Sequence, residues 1–113
     1  MPQVVEPAQP NATKFERFIF DMLPHAANAF VVEVLPSEAF APVKNADGAE
    51  TDTPKLAKEA ISDLHKSWLR QAGAYVGDDC TVEINPRYSL SPAELEEKIS
   101  PNLRIDVDQI FDL

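Results

Sequence analysis

Residues 53–73 read TPKLAKEAISDLHKSWLRQAG and hold the clearest secondary-structure signal in the chain. Threonine is a preferred cap at the amino terminus of a helix, and proline is well suited to the first helical position. Apolar residues then recur at helical spacing until Gly73, a residue type that commonly follows the end of a helix. The apolar stripe consists of Leu56, Ala60, Ile61, Leu64 and Trp68. We predict a helix that begins at Pro54, continues until Gly73 and packs this stripe, including Trp68, against a core.

Three further elements are predicted on the amino-terminal side of this helix. Phe15, Phe18, Ile19 and Met22 follow a helical period, so a short amphipathic helix is predicted over Lys14–Met22, ended by Pro24. Residues 29–35 (AFVVEVL) are almost continuously apolar and β-branched, which predicts a strand covered on both faces. Residues 36–52 contain several turn-forming residues, so they are predicted to form a long loop, a kind of segment that is usually functional or disordered.

The carboxyl-terminal part predicts a strand, a helix and a second strand. Cys80–Ile84 alternates as a strand does, and Ser91 with Glu94 forms a capping box that opens a helix to about Ile99. A short strand is predicted near Leu103–Val107. The order of elements indicates an α/β fold, but three strands can hardly cover one that is buried on both faces. The chain is therefore expected to be part of something larger.

Length and charge limit the class of protein. We predict an extended, proline-containing lead-in at residues 1–13 and one α/β portion at residues 14–113, because 113 residues is the usual size of one domain. A net charge of −9 repels nucleic acid and anionic membranes, so neither is an expected partner. The single Cys80 cannot form an internal disulfide, and no export signal or membrane-spanning run is found, which favours the cytoplasm.

Several residues with reactive side chains are expected to be structural. His65 lies one position off the apolar stripe and His25 lies in a turn, so neither is given a catalytic role. Cys80 has no neighbouring cation in sequence that would activate its thiol, which favours an inert buried role. The acidic run that includes Glu94 is expected to be a solvated helix face with a favourable dipole contact.

Two stretches carry a resemblance to a known family. They are residues 11–23 (NATKFERFIFDML) and residues 30–54 (FVVEVLPSEAFAPVKNADGAETDTP), and the similarity continues through LHKSWLRQAGA to Ala74. The K-F-E-x-F-x-F-D, E-A-F-A-P-V-K-N-A-D-G and D-T-P segments occur in the family's order and at its spacing. On these motifs the chain resembles the carboxyl-terminal portion of the UDP-N-acetylglucosamine pyrophosphorylases, which are UTP:sugar-1-phosphate uridylyltransferases.

The resemblance implies a Rossmann-like nucleotidyltransferase that acts with Mg²⁺. In such an enzyme a sugar 1-phosphate, here N-acetylglucosamine 1-phosphate by analogy, attacks the α-phosphorus of UTP and releases pyrophosphate. Lys44 matches the family's lysine at the nucleotide-sugar phosphates, and a positioned cation suits chemistry in which negative charge accumulates on phosphoryl oxygens. Phe18 and Phe20 match aromatic residues of the sugar pocket. Because they are two residues apart, they cannot share one face of the predicted helix, and Phe18 already belongs to its apolar face.

The chain also departs from the family's pattern. The glycine-rich segment that cradles the UTP phosphates has no counterpart among the three glycines, Gly48, Gly73 and Gly77. The family's metal ligand also falls in its earlier portion, so no residue here is assigned to Mg²⁺. Two hypotheses follow: a piece of a uridylyltransferase that is inactive without its missing amino-terminal portion, or a non-catalytic acidic module that binds a protein partner.

Overall fold

The computed structural model describes residues 6–113, which contain one 3₁₀ helix, three α-helices and four short strands. Contacts between residues divide the chain into two compact units, Met1–Val32 and Glu33–Leu113. The predicted α/β class is confirmed, whereas a Rossmann-like sheet stays a prediction. Residues 1–5 of the predicted lead-in lie outside the described residues, and residues 6–13 contain no helix or strand.

The first unit contains a 3₁₀ helix, Ile19–His25, where an α-helix over Lys14–Met22 was predicted. That prediction is wrong, because the backbone of Phe18 is still extended, with φ −122° and ψ 134°. The apolar side chains of the predicted face are all exposed. A short amphipathic helix is stable mainly through packing of its apolar face, and the exposure of these side chains shows that this face is not packed.

The segment at residues 29–35 is not the buried strand that its composition predicts. It has no strand assignment, and Phe30 and Val31 are 88% and 96% exposed. Within the part of the chain that the structure describes, no strand pairs with it. β-propensity expresses packing against neighbouring strands, so an apolar β-branched segment without such neighbours does not form a strand.

The second unit consists of helices α1 to α3 and strands β1 to β4. Their bounds are α1 Pro36–Ala39, α2 Pro54–Gln71, β1 Tyr75–Val76, β2 Val82–Ile84, α3 Pro92–Lys98, β3 Arg104–Ile105 and β4 Gln109–Phe111. Strands β1 and β3 form one parallel pair and β2 and β4 another. Strands β2 and β3 lie inside predicted segments, whereas β1 and β4 were not predicted. At two and three residues, they are too short to show a periodic pattern.

Parallel pairing places each strand of the second unit in a defined register. Val82, Glu83 and Ile84 pair with Gln109, Ile110 and Phe111, and Tyr75 and Val76 pair with Arg104 and Ile105. Side chains from these strands and from two helices meet in one core, made of Leu69, Ala74, Val76, Cys80, Val82, Ile84, Leu95 and Ile105. Cys80 is buried there, which agrees with the structural role expected for it, and Trp68 packs against this core, as predicted.

Both ends of helix α2 agree with the sequence signals. The Thr53 hydroxyl accepts a hydrogen bond from the Leu56 N–H at 3.2 Å. At the other end Gly73 has φ +92°, a left-handed conformation that favours glycine. The Ala74 N–H donates to the Leu69 carbonyl at 2.9 Å and the Gly73 N–H to the Arg70 carbonyl at 3.1 Å. These two bonds form a Schellman motif, which satisfies carbonyls that the helix leaves without partners.

Helix α3 begins with a modified form of the predicted capping box. The Ser91 hydroxyl accepts a hydrogen bond from the Glu94 N–H at 3.3 Å, as predicted. The Glu94 carboxylate, however, accepts from the Leu90 N–H at 2.9 Å, one residue before the position that the motif specifies. Together these contacts hold the start of the helix whose Leu95 is fully buried in the core.

Helix α2 turns a different face to the core than its apolar stripe predicts. Its buried residues are Ser62, Lys66 and Leu69, at i, i+4 and i+7. With 3.6 residues per turn, this face lies roughly opposite the predicted stripe. Leu56 and Ile61 of that stripe are 41% and 49% exposed, whereas Leu69 has no exposed surface. Apart from Trp68, which packs against the core, the predicted packing face is therefore wrong, since polar side chains occupy most of the covered face.

Two leucine substitutions in α2 distinguish the two faces. Leu69→Ala should lower the free energy of unfolding by about 2–5 kcal/mol, because it removes a fully buried side chain. Leu56→Ala should change it by about 0.5 kcal/mol or less, as expected for a surface position. Urea unfolding followed by circular dichroism measures both values. The opposite ranking would mean that the predicted stripe is the packed face.

Candidate functional site

Lys44 lies at the start of a loop whose two ends are joined by backbone hydrogen bonds. The N–H groups of Lys44 and Asn45 both donate to the carbonyl of Asp52, at 2.8 and 3.0 Å. The Asn45 side-chain amide donates to the Thr51 carbonyl at 2.9 Å. Residues 44–52, which we call the lysine loop, therefore form a closed ring of backbone directly before helix α2.

The turns of the lysine loop depend on two left-handed residues. Gly48 has φ +101° and is the third residue of a turn in which the Ala49 N–H donates to the Ala46 carbonyl at 3.3 Å. Asp52 has φ +57°, in a region that aspartate tolerates better than most residues. The predicted loop over residues 36–52 is correct for this part, whereas residues 36–39 form α1.

The first turn of helix α2 has no donor left for an anion. Pro54 has no N–H, the Lys55 N–H donates to an Asp47 carboxylate oxygen at 3.0 Å, and the Leu56 N–H donates to Thr53. The Ala57 N–H donates to the Thr53 carbonyl at 3.0 Å. Although helix amino termini commonly bind phosphate, the protein's own groups occupy this one.

The Lys44 side chain is exposed and carries an uncompensated charge. Among residues 6–113, no carboxylate lies within ion-pairing distance of it, whereas five other basic residues form ion pairs. Those five are Lys14, Lys55, Lys66, Arg70 and Arg104. An exposed ammonium group on a closed loop can reach an anionic ligand without first breaking an ion pair.

Phe18 and Phe20 lie in the first unit, whereas Lys44 lies in the second. The ring centroids of Phe18 and Phe20 are 5.1 Å apart, and the ring planes are tilted by 51°. The expectation that the two rings point to different sides is wrong, because Phe18 precedes the 3₁₀ helix in extended backbone and so does not follow helical geometry. The rings are 59% and 61% exposed. This exposed pair offers an aromatic contact surface.

Ser62 and His65 of α2 cap one edge of strand β2. The Ser62 hydroxyl accepts from the Val82 N–H at 2.9 Å, and His65 Nδ1 accepts from the Ile84 N–H at 3.1 Å. The other edge of β2 pairs with β4. The interpretation of His65 as a satisfied or half-exposed residue agrees with this contact, but the contact with the edge of β2 was not predicted, because the partner residue lies 19 positions away.

Burial lowers the pKa of His65 below its ordinary value of 6.5. A hydrogen bond with the Val82 backbone and the negative charge of Glu83 partly offset this effect. The lowered pKa favours the neutral ring, in which Nδ1 can accept the Ile84 N–H. Protonation would turn this acceptor into a donor that faces another donor.

The stability of the chain should therefore fall with decreasing pH through His65. The unfolded chain takes up a proton on this ring near pH 6.5, but the folded chain does so only at lower pH, so stability is lost as pH falls below 6.5 and levels off beneath the folded pKa. His65→Asn should keep an acceptor and reduce the difference in unfolding free energy between about pH 7.5 and pH 5. Urea unfolding at both pH values measures this difference in unfolding free energy.

The matched control is His25→Asn, which removes the other histidine of the chain. The expected result is a larger reduction in His65→Asn than in His25→Asn. An equal reduction in both variants, or none in His65→Asn, would contradict the assignment of this pH dependence to His65.

A cleft of about 620 Å³ runs beside α2 along residues 78–81. At its floor the buried Lys66 ammonium contacts an Asp63 carboxylate oxygen and the Asp78 carbonyl, both at 3.1 Å. The sequence spacing of Lys66 and Arg70 predicts a solvated helix face, and the burial of Lys66 shows that this prediction is wrong for Lys66. Because its charge is already matched by Asp63, Lys66 serves to hold the 78–81 segment on the helix.

Within residues 6–113, no three His, Cys, Asp or Glu side chains converge in a way that could hold a metal ion. No helix in this part of the chain is both long and apolar enough to cross a membrane.

Comparison with known proteins identifies relatives over most of the chain. It is 41% identical over 88 residues to "UDP-N-acetylhexosamine pyrophosphorylase-like protein 1" of Xenopus tropicalis, covering 78% of this chain and 17% of the relative. It is 40% identical over 88 residues to "UDP-N-acetylglucosamine diphosphorylase 2" of Arabidopsis thaliana, covering 74% and 18%. It is 36% identical over 94 residues to "UDP-N-acetylglucosamine pyrophosphorylase" of Saccharomyces cerevisiae, covering 81% and 20%.

No family model matches the chain. The chain spans about a fifth or less of the length of these three relatives. A contiguous match over 81% of the 113 residues necessarily includes Lys44 and the lysine loop.

Proposed function

The chain belongs to the family of UDP-N-acetylhexosamine and UDP-N-acetylglucosamine pyrophosphorylases, and on that premise we propose that it acts as the carboxyl-terminal portion of a uridylyltransferase. The family assignment confirms the resemblance found in the sequence. The proposed reaction joins UTP and a sugar 1-phosphate, such as N-acetylglucosamine 1-phosphate, to give a UDP-sugar and pyrophosphate. Activity in the cytoplasm stays a prediction.

The observation that carries the proposal is the exposed Lys44 on its closed loop, which forms no ion pair with any of the residues that the structure describes. In the reaction, a phosphate oxygen of the sugar 1-phosphate forms a bond to the α-phosphorus of UTP. The bond between the α-phosphorus and the oxygen that bridges it to the β-phosphorus breaks, and pyrophosphate leaves with the electron pair of that bond. Negative charge accumulates on the phosphoryl oxygens, and we assign the Lys44 ammonium to their stabilisation.

Phe18 and Phe20 are proposed to form one wall of the sugar pocket. Their exposed rings offer an apolar surface that suits the ring face and the N-acetyl group of an amino sugar. They would contribute shape and apolar contact, with no part in proton transfer.

Mg²⁺, when bound in such a site, would neutralise phosphate charge. The described residues provide no converging set of oxygen ligands for it. We therefore propose that its ligands belong to the remaining part of the longer protein, and we derive no step of the reaction from it.

Lys44 can be tested in a chimera with the Saccharomyces cerevisiae relative. The matched 94-residue stretch of that protein is replaced by the aligned residues of this chain, and UDP-sugar and pyrophosphate are measured. Lys44→Ala should lower kcat about 100-fold, the usual effect of losing one preorganised charge donor. Lys58→Ala, which removes another exposed lysine that forms no ion pair within residues 6–113, should leave kcat unchanged. Normal turnover of Lys44→Ala would remove Lys44 from the mechanism.

The exposed apolar face of α2 supports a partner within the same longer protein. Leu56, Ala60, Ile61 and Leu64 lie beside Phe40 along shallow grooves of the second unit. Close to half of the surface of Leu56 and of Ile61 is exposed, and Phe40 is more exposed still. We propose that the remaining part of the longer enzyme covers this face, because the relatives extend far beyond the matched stretch. The isolated chain is then expected to be inactive.

Ile61→Glu tests this partner. In the chimera it should lower the melting temperature, because it places a charge in an apolar contact. In the isolated chain, where Ile61 is half exposed, the melting temperature should change little. Leu90→Glu, a matched change at another exposed apolar residue within the matched stretch, should have a small effect in both proteins.

Equal effects of Ile61→Glu in the chimera and in the isolated chain would exclude this partner. Concentration-dependent dimerisation of the isolated chain that Ile61→Glu abolishes would instead favour the alternative hypothesis, a non-catalytic binding module whose partner is a protein surface.

A further inference from the structure

The carboxylate of Asp47 joins the middle of the lysine loop to helix α2. It accepts the Lys55 N–H at 3.0 Å across eight positions of sequence. Lys55 is the second residue of the helix, so its N–H has no acceptor within the helix. Because Pro54 precedes it without a donor, the Lys55 N–H is the first backbone donor of the helix. The contact therefore satisfies a backbone group that would otherwise need water.

This contact connects the loop to the rigid part of the second unit. The other hydrogen bonds of residues 44–52 close the loop upon itself, between Lys44 or Asn45 and residues 51–52 and between residues 46 and 49. The hydrogen bond from the Lys55 N–H to the Asp47 carboxylate is the one, among those of residues 6–113, that links the interior of the lysine loop to helix α2. Helix α2 is in turn held against the core by Leu69.

The position of the Lys44 ammonium depends on where its backbone is held. A lysine side chain is long and flexible, so its reach is useful only if the backbone beneath it is fixed. The charge of Asp47 also interacts favourably with the positive end of the helix dipole, which strengthens the contact. The Asp47 carboxylate occupies this helix terminus, and the Lys44 ammonium remains available to contact a phosphate.

We propose that Asp47 is a positioning residue, which acts on the reaction by holding the lysine loop, and with it Lys44, on helix α2. This inference rests on the proposed role of Lys44. Asp47 itself touches no substrate in this account. Its effect on catalysis should therefore depend on the presence of the lysine.

Kinetics of the same chimera test the proposal. Asp47→Ala should lower kcat about tenfold, because small displacements of a catalytic group have large effects on rate. Asp47→Asn keeps an acceptor for the Lys55 N–H and should recover most of the loss. Asp79→Ala removes an exposed aspartate for which the structure of residues 6–113 shows no ion pair, and it should retain full turnover.

A double-mutant cycle separates positioning from general destabilisation. If Asp47 acts through Lys44, the double variant of Asp47→Ala and Lys44→Ala should be no slower than Lys44→Ala alone. Additive losses would overturn the proposal, as would normal turnover of Asp47→Ala in a chimera that Lys44→Ala impairs.

Hydrogen exchange of the isolated chain provides a readout that does not depend on activity. The Lys55 amide should exchange about tenfold faster in Asp47→Ala than in the unaltered chain, but not in Asp47→Asn. Unchanged exchange in Asp47→Ala would contradict the contact itself. Normal turnover of Lys44→Ala together with faster exchange in Asp47→Ala would show that the proposed function, and not the contact, had failed.

Discussion

The second unit depends on the way helix α2 is closed at both ends. Thr53 and Asp47 accept its first two backbone donors, and the Schellman motif at Gly73 satisfies carbonyls at its end. Helix ends leave several polar groups without partners, and burying them unpaired would destabilise the fold. With the ends satisfied, α2 can lie against both parallel strand pairs. The lysine loop, which carries Lys44, leads directly into the fixed amino-terminal end of this helix.

The polar side chains on the covered face of α2 have a common purpose. Ser62 and His65 accept backbone donors of β2, and Lys66 donates to the carbonyl of Asp78. The first two contacts satisfy backbone groups at the open edge of β2, and the third satisfies a carbonyl of the segment between β1 and β2. Open strand edges invite pairing with other chains, and here the helix closes one edge of β2. Polar residues are thus buried on this helix because the sheets are small, with two short strands each, and do not provide partners for all backbone groups of β2.

The apolar surface that remains exposed is consistent with a portion of a longer protein. The segment at residues 29–35 and the stripe of Leu56 and Ile61 have compositions typical of a core, yet both are largely exposed. Exposed apolar patches of this kind usually mark an interface. A small core built around Leu69 can coexist with such surfaces, because it is completed by residues 62–111 of the same chain. The family assignment fits this arrangement, since the matched stretch makes up a fifth or less of each of the three relatives.

By itself the sequence determined the family, the α/β class, both ends of α2 and the start of α3. These signals succeed because a cap, a Schellman glycine and a capping serine act on groups within a few residues of themselves. Only the tertiary structure decided which face of α2 is buried, that Phe18 and Phe20 meet, that residues 29–35 form no strand, and that Asp47 holds the lysine loop. Each of these depends on partners distant in sequence or on packing, which local propensity does not encode.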